Sequence, residues 1–136
     1  MEKLPNGTRR LAAQLRSDVG FESLWSVLTD YNLLCKFTPN LSKSKLVSRL
    51  GNKVILDQVG CQKLIGINFS AYVQIELTED LSTRTLSFRL IKGDFRRFEG
   101  LWRIQSLSKK GACLFYELTV QGCVGMPVSL IENRLK

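Results

Sequence analysis

The chain of 136 residues contains no histidine. This absence removes the commonest general base near neutral pH, the commonest zinc ligand and every relay in which histidine activates serine or cysteine. Apolar runs are only a few residues long, too short to span a bilayer, and the first residues lack an apolar core of signal-peptide length. We therefore expect a soluble, cytoplasmic protein with neither a metal site nor a cofactor.

Cysteine is scarce and irregularly spaced. The four cysteines never form a Cys-x-x-Cys pair, so a zinc ribbon is not expected. Because an export signal is lacking, disulfides are not expected either. The sequence predicts buried, unreactive free thiols at Cys35, Cys61, Cys113 and Cys123.

Positive charge is abundant: 20 Lys+Arg stand against 12 Asp+Glu, a net charge of +8. No acid occurs between Tyr31 and Leu56, where the basic residues suggest a surface patch for nucleic acid or acidic lipid headgroups. A solvated face that maintains solubility is the alternative, since no base-reading motif accompanies the charge. The candidate patch consists of Lys36, Lys43, Lys45, Arg49 and Lys53.

Hydrophobic periodicity predicts one α+β domain over residues 1–136. A strand over 8–17 precedes a helix over Phe21–Leu28, capped by Asp18, and a short helix over Tyr31–Phe37, which Asp30 begins and Pro39 ends. Alternation of period two then predicts strands near 42–50, 53–64, 67–79, 83–92, 96–107 and 112–121. A helix from about residue 125, with proline in its first turn, ends the chain.

Alternation within the strands predicts a sheet with one dry face, and the terminal helix is the remaining element able to cover it. An apolar space between them would suit a small hydrophobic ligand. Aromatic residues on a dry face are also ordinary core residues, and both roles stay open here. The candidate lining residues are Phe69, Ala71, Phe88, Phe98, Trp102, Tyr116, Met126 and Leu130.

Two polar residues are candidate anchors within this space, Gln58 and Arg97. An inward arginine would fix a carboxylate or phosphate, although only one of the neighbours Arg96 and Arg97 can point inward. Asp30, Tyr31 and the turn residue Asp94 are better explained by local structure than by catalysis.

Three segments resemble a known family: Leu24–Tyr31, Phe37–Leu41 and Gly93–Trp102. They are similar to the START-like helix-grip superfamily and, more closely, to the polyketide cyclase/dehydrase and lipid transport family, which includes coenzyme Q-binding START-like proteins. The third segment resembles plant and cyanobacterial members. The resemblance implies a curved antiparallel sheet of about seven strands, two short helices after strand 1, and a C-terminal helix across the concave face. That helix is usually longer than the stretch here, so it is either short or truncated.

The resemblance also implies binding or transport of a lipid, quinone, isoprenoid or polyketide-like molecule, and transient contact with anionic membrane is an accompanying expectation. A polyketide cyclase or dehydratase is the first alternative, and a ribosome- or RNA-associated module that uses the basic residues of 36–53 is the second. We rank binding above catalysis, because residues suited to chemistry are few. A monomer and a homodimer are both compatible with the sequence.

Overall fold

A computed structural model of the chain describes residues 2–3, 8–37, 41–64, 67–107 and 111–122. The predicted helix and strand bounds agree with the observed ones to within two residues, whereas the predicted C-terminal helix lies outside the described residues. In chain order the elements are β1 (Glu2–Lys3), β2 (Thr8–Ser17), α1 (Phe21–Leu28), a 3-10 turn (Tyr31–Leu33), α2 (Leu34–Phe37), β3 (Leu41–Leu50), β4 (Lys53–Leu64), β5 (Ile67–Asp80), β6 (Thr85–Gly93), β7 (Phe95–Ser106) and β8 (Ala112–Gly122).

All of these strands form one curved antiparallel sheet, in the order β1-β2-β8-β7-β6-β5-β4-β3. Seven strands are long, as predicted, and the two-residue β1 adds a short edge. From β3 to β8 each strand pairs with its neighbour in sequence, so these connections are hairpins. Strand β2 instead pairs with the last strand, from Thr8 opposite Gln121 to Ser17 opposite Ala112.

The two faces of the sheet differ in polarity, as the alternation predicts. In β5 the side chains of Ala71, Val73, Ile75 and Leu77 are all buried, while those between them are only half-buried. We call the face that carries these buried residues the inner face. The apolar side of α1 packs on the inner face of β7 and β8. The contacting residues of α1 are Phe21, Leu24, Trp25 and Leu28, and the cluster that they contact consists of Ile104, Ala112 and Leu114.

The start of α1 differs from the prediction. Its N-cap is Gly20, which has no side-chain cap, so Asp18 does not cap the helix because it lies two residues too early. Asp30 does precede the 3-10 turn, but its side chain makes no capping hydrogen bond either.

Register shifts in the sheet change which side chains face inward. The pairing of β3 with β4 has two shifts, the later of which lies between Leu46 and Ser48. Strand β7 has one between Phe95 and Arg97, and a further shift interrupts the pairing of β5 with β6. Because successive side chains alternate, each extra residue moves the following side chains to the opposite face.

The junction of β6 and β7 depends on a close backbone approach. Gly93 has a φ of 149°, and a Cβ built there would lie 2.4 Å from the Tyr72 carbonyl oxygen. The amide N–H of Asp94 donates to that same oxygen at 2.8 Å, and its carboxylate accepts from the Tyr72 N–H at 2.7 Å. The predicted Gly93-Asp94 turn between β6 and β7 is therefore fixed to β5.

The thiols fit the prediction only in part. Cys113 is a free, buried thiol, and its sulfur accepts a hydrogen bond from Gln14 Nε2 at 3.0 Å. Cys61 is also free but exposed, so the expectation of burial is wrong for this residue. Its position explains the difference, because it lies in β4 beside Ser42 of the sheet-edge strand β3. The Cys35 side chain and Cys123 lie outside the described part of the chain.

Two features are absent from the described residues. None of the helices there is long and apolar enough to cross a membrane. Within that same part of the chain, no cluster of three potential metal ligands occurs.

Candidate ligand-binding face

An aromatic pair forms the centre of the inner face. Trp102 of β7 lies directly opposite Tyr116 of β8, with ring centroids 4.1 Å apart and planes inclined by 35°. Both side chains are only half-buried, although they contact the main apolar cluster. Large aromatic surfaces that remain partly accessible within an apolar face suit contact with a hydrophobic ligand.

The other described lining candidates are packed more tightly. Phe88 and Phe98 are 8% and 9% exposed, with ring centroids 5.8 Å apart, and Ala71 is buried on the same face. These three residues form the floor of the inner face. Sequence reasoning missed Phe95, whose ring centroid lies 5.5 Å from that of Phe98. The register shift after Phe95 is the reason that both rings point inward.

Apolar side chains continue across β2 at the margin of this face. Leu11, Ala13 and Leu15 lie opposite Leu118, Tyr116 and Leu114, so they share the inner face. Leu15 is nevertheless 61% exposed. The apolar surface therefore extends beyond the packed core, beside the aromatic pair.

Gln58 lies on the inner face as a polar residue among apolar ones. It stands opposite Ser44 of β3 and opposite Val73 of β5, and both of these residues are buried. Its Nε2 donates a hydrogen bond to Ser44 Oγ at 3.3 Å. Ser44 was not among the sequence candidates, because an isolated serine in an edge strand carries no distinctive pattern.

Arg97 does not lie on the inner face, so the prediction of an anchor there is wrong. It is paired opposite Gln121 on the outer face, because side chains alternate along β7 and its neighbour Phe98 points inward. Its exposed side chain forms an ion pair with Glu99. Both residues line a polar depression of about 620 Å³ on the outer face, together with Arg10, Lys53, Glu76 and Glu117.

A charged network lies at the end of β5. Arg49 donates two hydrogen bonds to Glu79, at 2.8 and 3.0 Å, and the Tyr31 hydroxyl donates to the same carboxylate. Hydrogen bonds from Arg49 hold the pKa of Glu79 below its usual value, and Tyr31 adds to that effect. Burial, and then the bond to Glu79, raises the pKa of Tyr31 far above its usual value. The network fixes the 3-10 turn to the sheet.

The predicted basic patch is not one surface. Lys43 and Lys45 are paired opposite Val59 and Asp57, on the outer face. After the shift at Leu46, Arg49 instead stands opposite the buried Val54 and binds Glu79. Arg49 is therefore a structural cation and is wrongly assigned to the patch. Of the remaining predicted members, Lys53 lies 3.7 Å from Glu76, and Lys36 is exposed on α2.

Three sequence candidates cannot be placed in the site. Met126 and Leu130 lie outside the described residues. Phe69 belongs to β5, opposite Gln62, but its side chain is outside the described part of the structure.

The antiparallel sheet of this chain, with helices packed on its apolar inner face, is typical of the helix-grip class of START-like proteins. The sequence model of the polyketide cyclase / dehydrase and lipid transport family matches residues 18–136, and the chain belongs to that family. No curated protein matches the chain in sequence.

Solved structures share the fold at low sequence identity. TTHA0849 from Thermus thermophilus has a TM-score of 0.78 at 18% identity, over 92% of this chain and 82% of that one. A STAR-related lipid transfer protein from Xanthomonas axonopodis has a TM-score of 0.78 at 13% identity, over 95% and 78%. The Zhui aromatase/cyclase from Streptomyces sp. R1128 has a TM-score of 0.75 at 13% identity, over 88% and 71%. These similarities establish the fold and not the ligand.

Proposed function

We propose that this protein binds a hydrophobic small molecule on the inner face of its sheet and acts as a carrier or binding protein rather than as an enzyme. The single observation that carries the proposal is the half-buried pair of Trp102 and Tyr116, set in an apolar face that continues to the exposed Leu15. An accessible aromatic and aliphatic surface of this kind gains free energy when a ligand removes it from water.

The names of the similar structures are compatible with two roles. One is a STAR-related lipid transfer protein and another is an aromatase/cyclase. The charged groups on the inner face favour the first role. The acid described there, Glu79, already accepts hydrogen bonds from Arg49 and Tyr31, and its lowered pKa makes it a poor proton donor. Tyr31 is buried and its pKa is raised, so it stays protonated and cannot act as a general base.

A pair of neighbouring residues on β8 provides the test. Tyr116 faces inward opposite Trp102, whereas Phe115 faces outward opposite Arg103, whose guanidinium carbon lies 5.3 Å from the Phe115 ring centroid. Nile red, a neutral hydrophobic dye, would be titrated into the purified protein and its fluorescence followed. We expect Tyr116→Leu to weaken dye binding several-fold, because the aromatic contact on the inner face is lost.

Phe115→Leu is the matched control, since it removes an aromatic ring of similar size from the opposite face. Its dye affinity is expected to equal that of the unmodified protein. An equal loss in both variants would place the dye elsewhere and contradict the proposal. Failure of the unmodified protein to bind the dye or any member of a broad lipid and quinone panel would also contradict it.

A further inference from the structure

We propose that Gln58 and Ser44 form a hydrogen-bonding anchor that selects an uncharged ligand bearing a hydroxyl or carbonyl group. This inference rests on the proposed function and names the chemical class of the molecule bound. Its basis is a polar pair that stands within the apolar inner face: Gln58 lies between Leu56 and Gly60 along β4, both of them buried.

The pair has hydrogen-bonding capacity left over. A glutamine amide has two N–H donors and a carbonyl acceptor, and a serine hydroxyl is both donor and acceptor. Among the residues that the structure describes, the two side chains make one hydrogen bond, from Gln58 Nε2 to Ser44 Oγ. One amide N–H, the amide oxygen and the serine hydroxyl proton therefore have no partner there. Ser44 is only 8% exposed, so water has little access to its hydroxyl group.

A buried polar group without a partner is costly, and this applies to the hydroxyl proton of Ser44, whereas Gln58 is half-buried. A ligand that hydrogen-bonds to both side chains regains free energy, most of it at Ser44. A hydroxyl group can both donate to the amide oxygen and accept from the amide N–H, whereas a carbonyl can accept. A carboxylate is less suitable, because a neutral amide and a hydroxyl supply no charge to offset its desolvation. The geometry thus points to a neutral polar group on an otherwise apolar molecule.

The position of the pair also orients the ligand. Gln58 is paired with Val73 of β5. Trp102 is paired with Leu86 of β6, which is in turn paired with Glu79 of β5. Val73 and Glu79 are six residues apart along β5, which at a rise of about 3.3 Å per residue is roughly 20 Å. The polar group would lie at the Gln58 end, with the apolar part extending over Phe98 towards the aromatic pair.

Arg9 is a competing anchor for an acidic ligand. It lies opposite Val120, on the inner face, and its Nη1 donates to the Thr8 carbonyl at 3.1 Å. An experiment must therefore separate a neutral from an anionic headgroup. Three molecules with the same chain length do this: dodecane, 1-dodecanol and dodecanoate, each used to displace Nile red from the purified protein.

We expect 1-dodecanol to bind more tightly than dodecanoate. The quantity compared between variants is the dissociation constant of 1-dodecanol divided by that of dodecane. Gln58→Leu should shift this ratio about tenfold in favour of dodecane, as expected for loss of a buried hydrogen bond. Ser44→Ala should shift it in the same direction, and it tests the anchor independently if the leucine variant folds poorly. Gln74→Leu is the matched control, since Gln74 lies beside Val73 but faces outward to Asp57.

A ratio unchanged to within twofold in both anchor variants would overturn the inference while leaving the proposed function intact. Tighter binding of dodecanoate than of 1-dodecanol, lost in Arg9→Gln, would transfer the anchor to Arg9 and also overturn it. If none of the three molecules displaces the dye, and the dye itself fails to bind, the proposed function fails and the inference fails with it.

Discussion

Replacing Tyr31 with phenylalanine tests the network that attaches the 3-10 turn to the sheet. The variant removes one hydroxyl group and leaves the buried ring in place. A hydrogen bond to a charged group contributes about 1.5–3 kcal/mol to stability. Because Glu79 keeps both hydrogen bonds from Arg49, we expect a loss near the lower end, about 1.5–2 kcal/mol.

The expected change in melting temperature follows from chain length. An unfolding entropy of about 2.1 cal/mol/K per residue gives roughly 290 cal/mol/K for 136 residues. A loss of about 1.5–2 kcal/mol then corresponds to a decrease in Tm of roughly 5–7 °C. Urea unfolding followed by tryptophan fluorescence gives the free energy directly, with the same m-value expected for both proteins.

The pH dependence provides a sharper test. The pKa of Tyr31 is raised in the folded state, so its stabilising effect is complete below the unfolded value of about 10 and is lost at higher pH. The pKa of Glu79 is lowered, so its contribution is complete above about pH 4.3 and is lost as pH falls through the folded value. The difference in the free energy of unfolding between the unmodified protein and Tyr31→Phe should therefore be constant from about pH 6 to 9. Above about pH 10 this difference should shrink by up to about 1.4 kcal/mol per pH unit.

Tyr72→Phe is the matched control. The Tyr72 hydroxyl donates to Asp57 at 2.6 Å, but this pair lies on the outer face, and we expect a smaller loss of stability there. Because the acceptor is charged, Tyr31→Phe should lose at least about 1.5 kcal/mol of stability. A loss below about 0.5 kcal/mol would refute the reasoning. So would a difference that stays the same at about pH 7.5 and about pH 10.5.

Three other substitutions are expected to change stability in different ways. Gly100→Ala should cost about 3 kcal/mol or more in urea unfolding, because the added Cβ would lie 2.0 Å from the backbone oxygen of Glu117; a cost below about 1 kcal/mol would show that β7 can move away. Gly20→Asp should raise stability by about 0.5 kcal/mol, since it supplies the missing N-cap of α1 in an open position; an unchanged Tm would contradict this. Glu76→Gln should cost less than about 1 kcal/mol, and the cost should fall further in about 1 M salt, because its partner Arg89 is largely exposed.

The strands could be predicted from sequence because one face is dry throughout. The alternation from Ala71 to Leu77 identifies the inner face without any knowledge of strand order. The register shifts could not be predicted, since one extra residue in a strand leaves no clear pattern. The shift between Leu46 and Ser48 decides that Arg49 lies on the inner face, so that residue was assigned wrongly for this reason. Arg97 is different, because regular alternation from the inward Phe98 already places it on the outer face.

The candidate site depends on pairs formed between distant segments. The aromatic pair and Gln58 were identifiable from alternation alone, because each lies at an inward position of a regular strand. Tyr31 and Glu79 are 48 residues apart, and no periodicity relates them. Ser44 could be recognised only once the pairing of β3 with β4 was known.

The irregular strand β3 has a consequence for association between molecules. It lies at the edge of the sheet, where backbone groups without a strand partner would accept a strand from another chain, although the Leu46 N–H already donates to Asn32 Oδ1. Its two bulges interrupt the ladder that such a strand would need, and the exposed Lys43 and Lys45 would repel the same segment of a second copy. The shifts that direct Arg49 inward therefore also protect this edge against β-sheet aggregation.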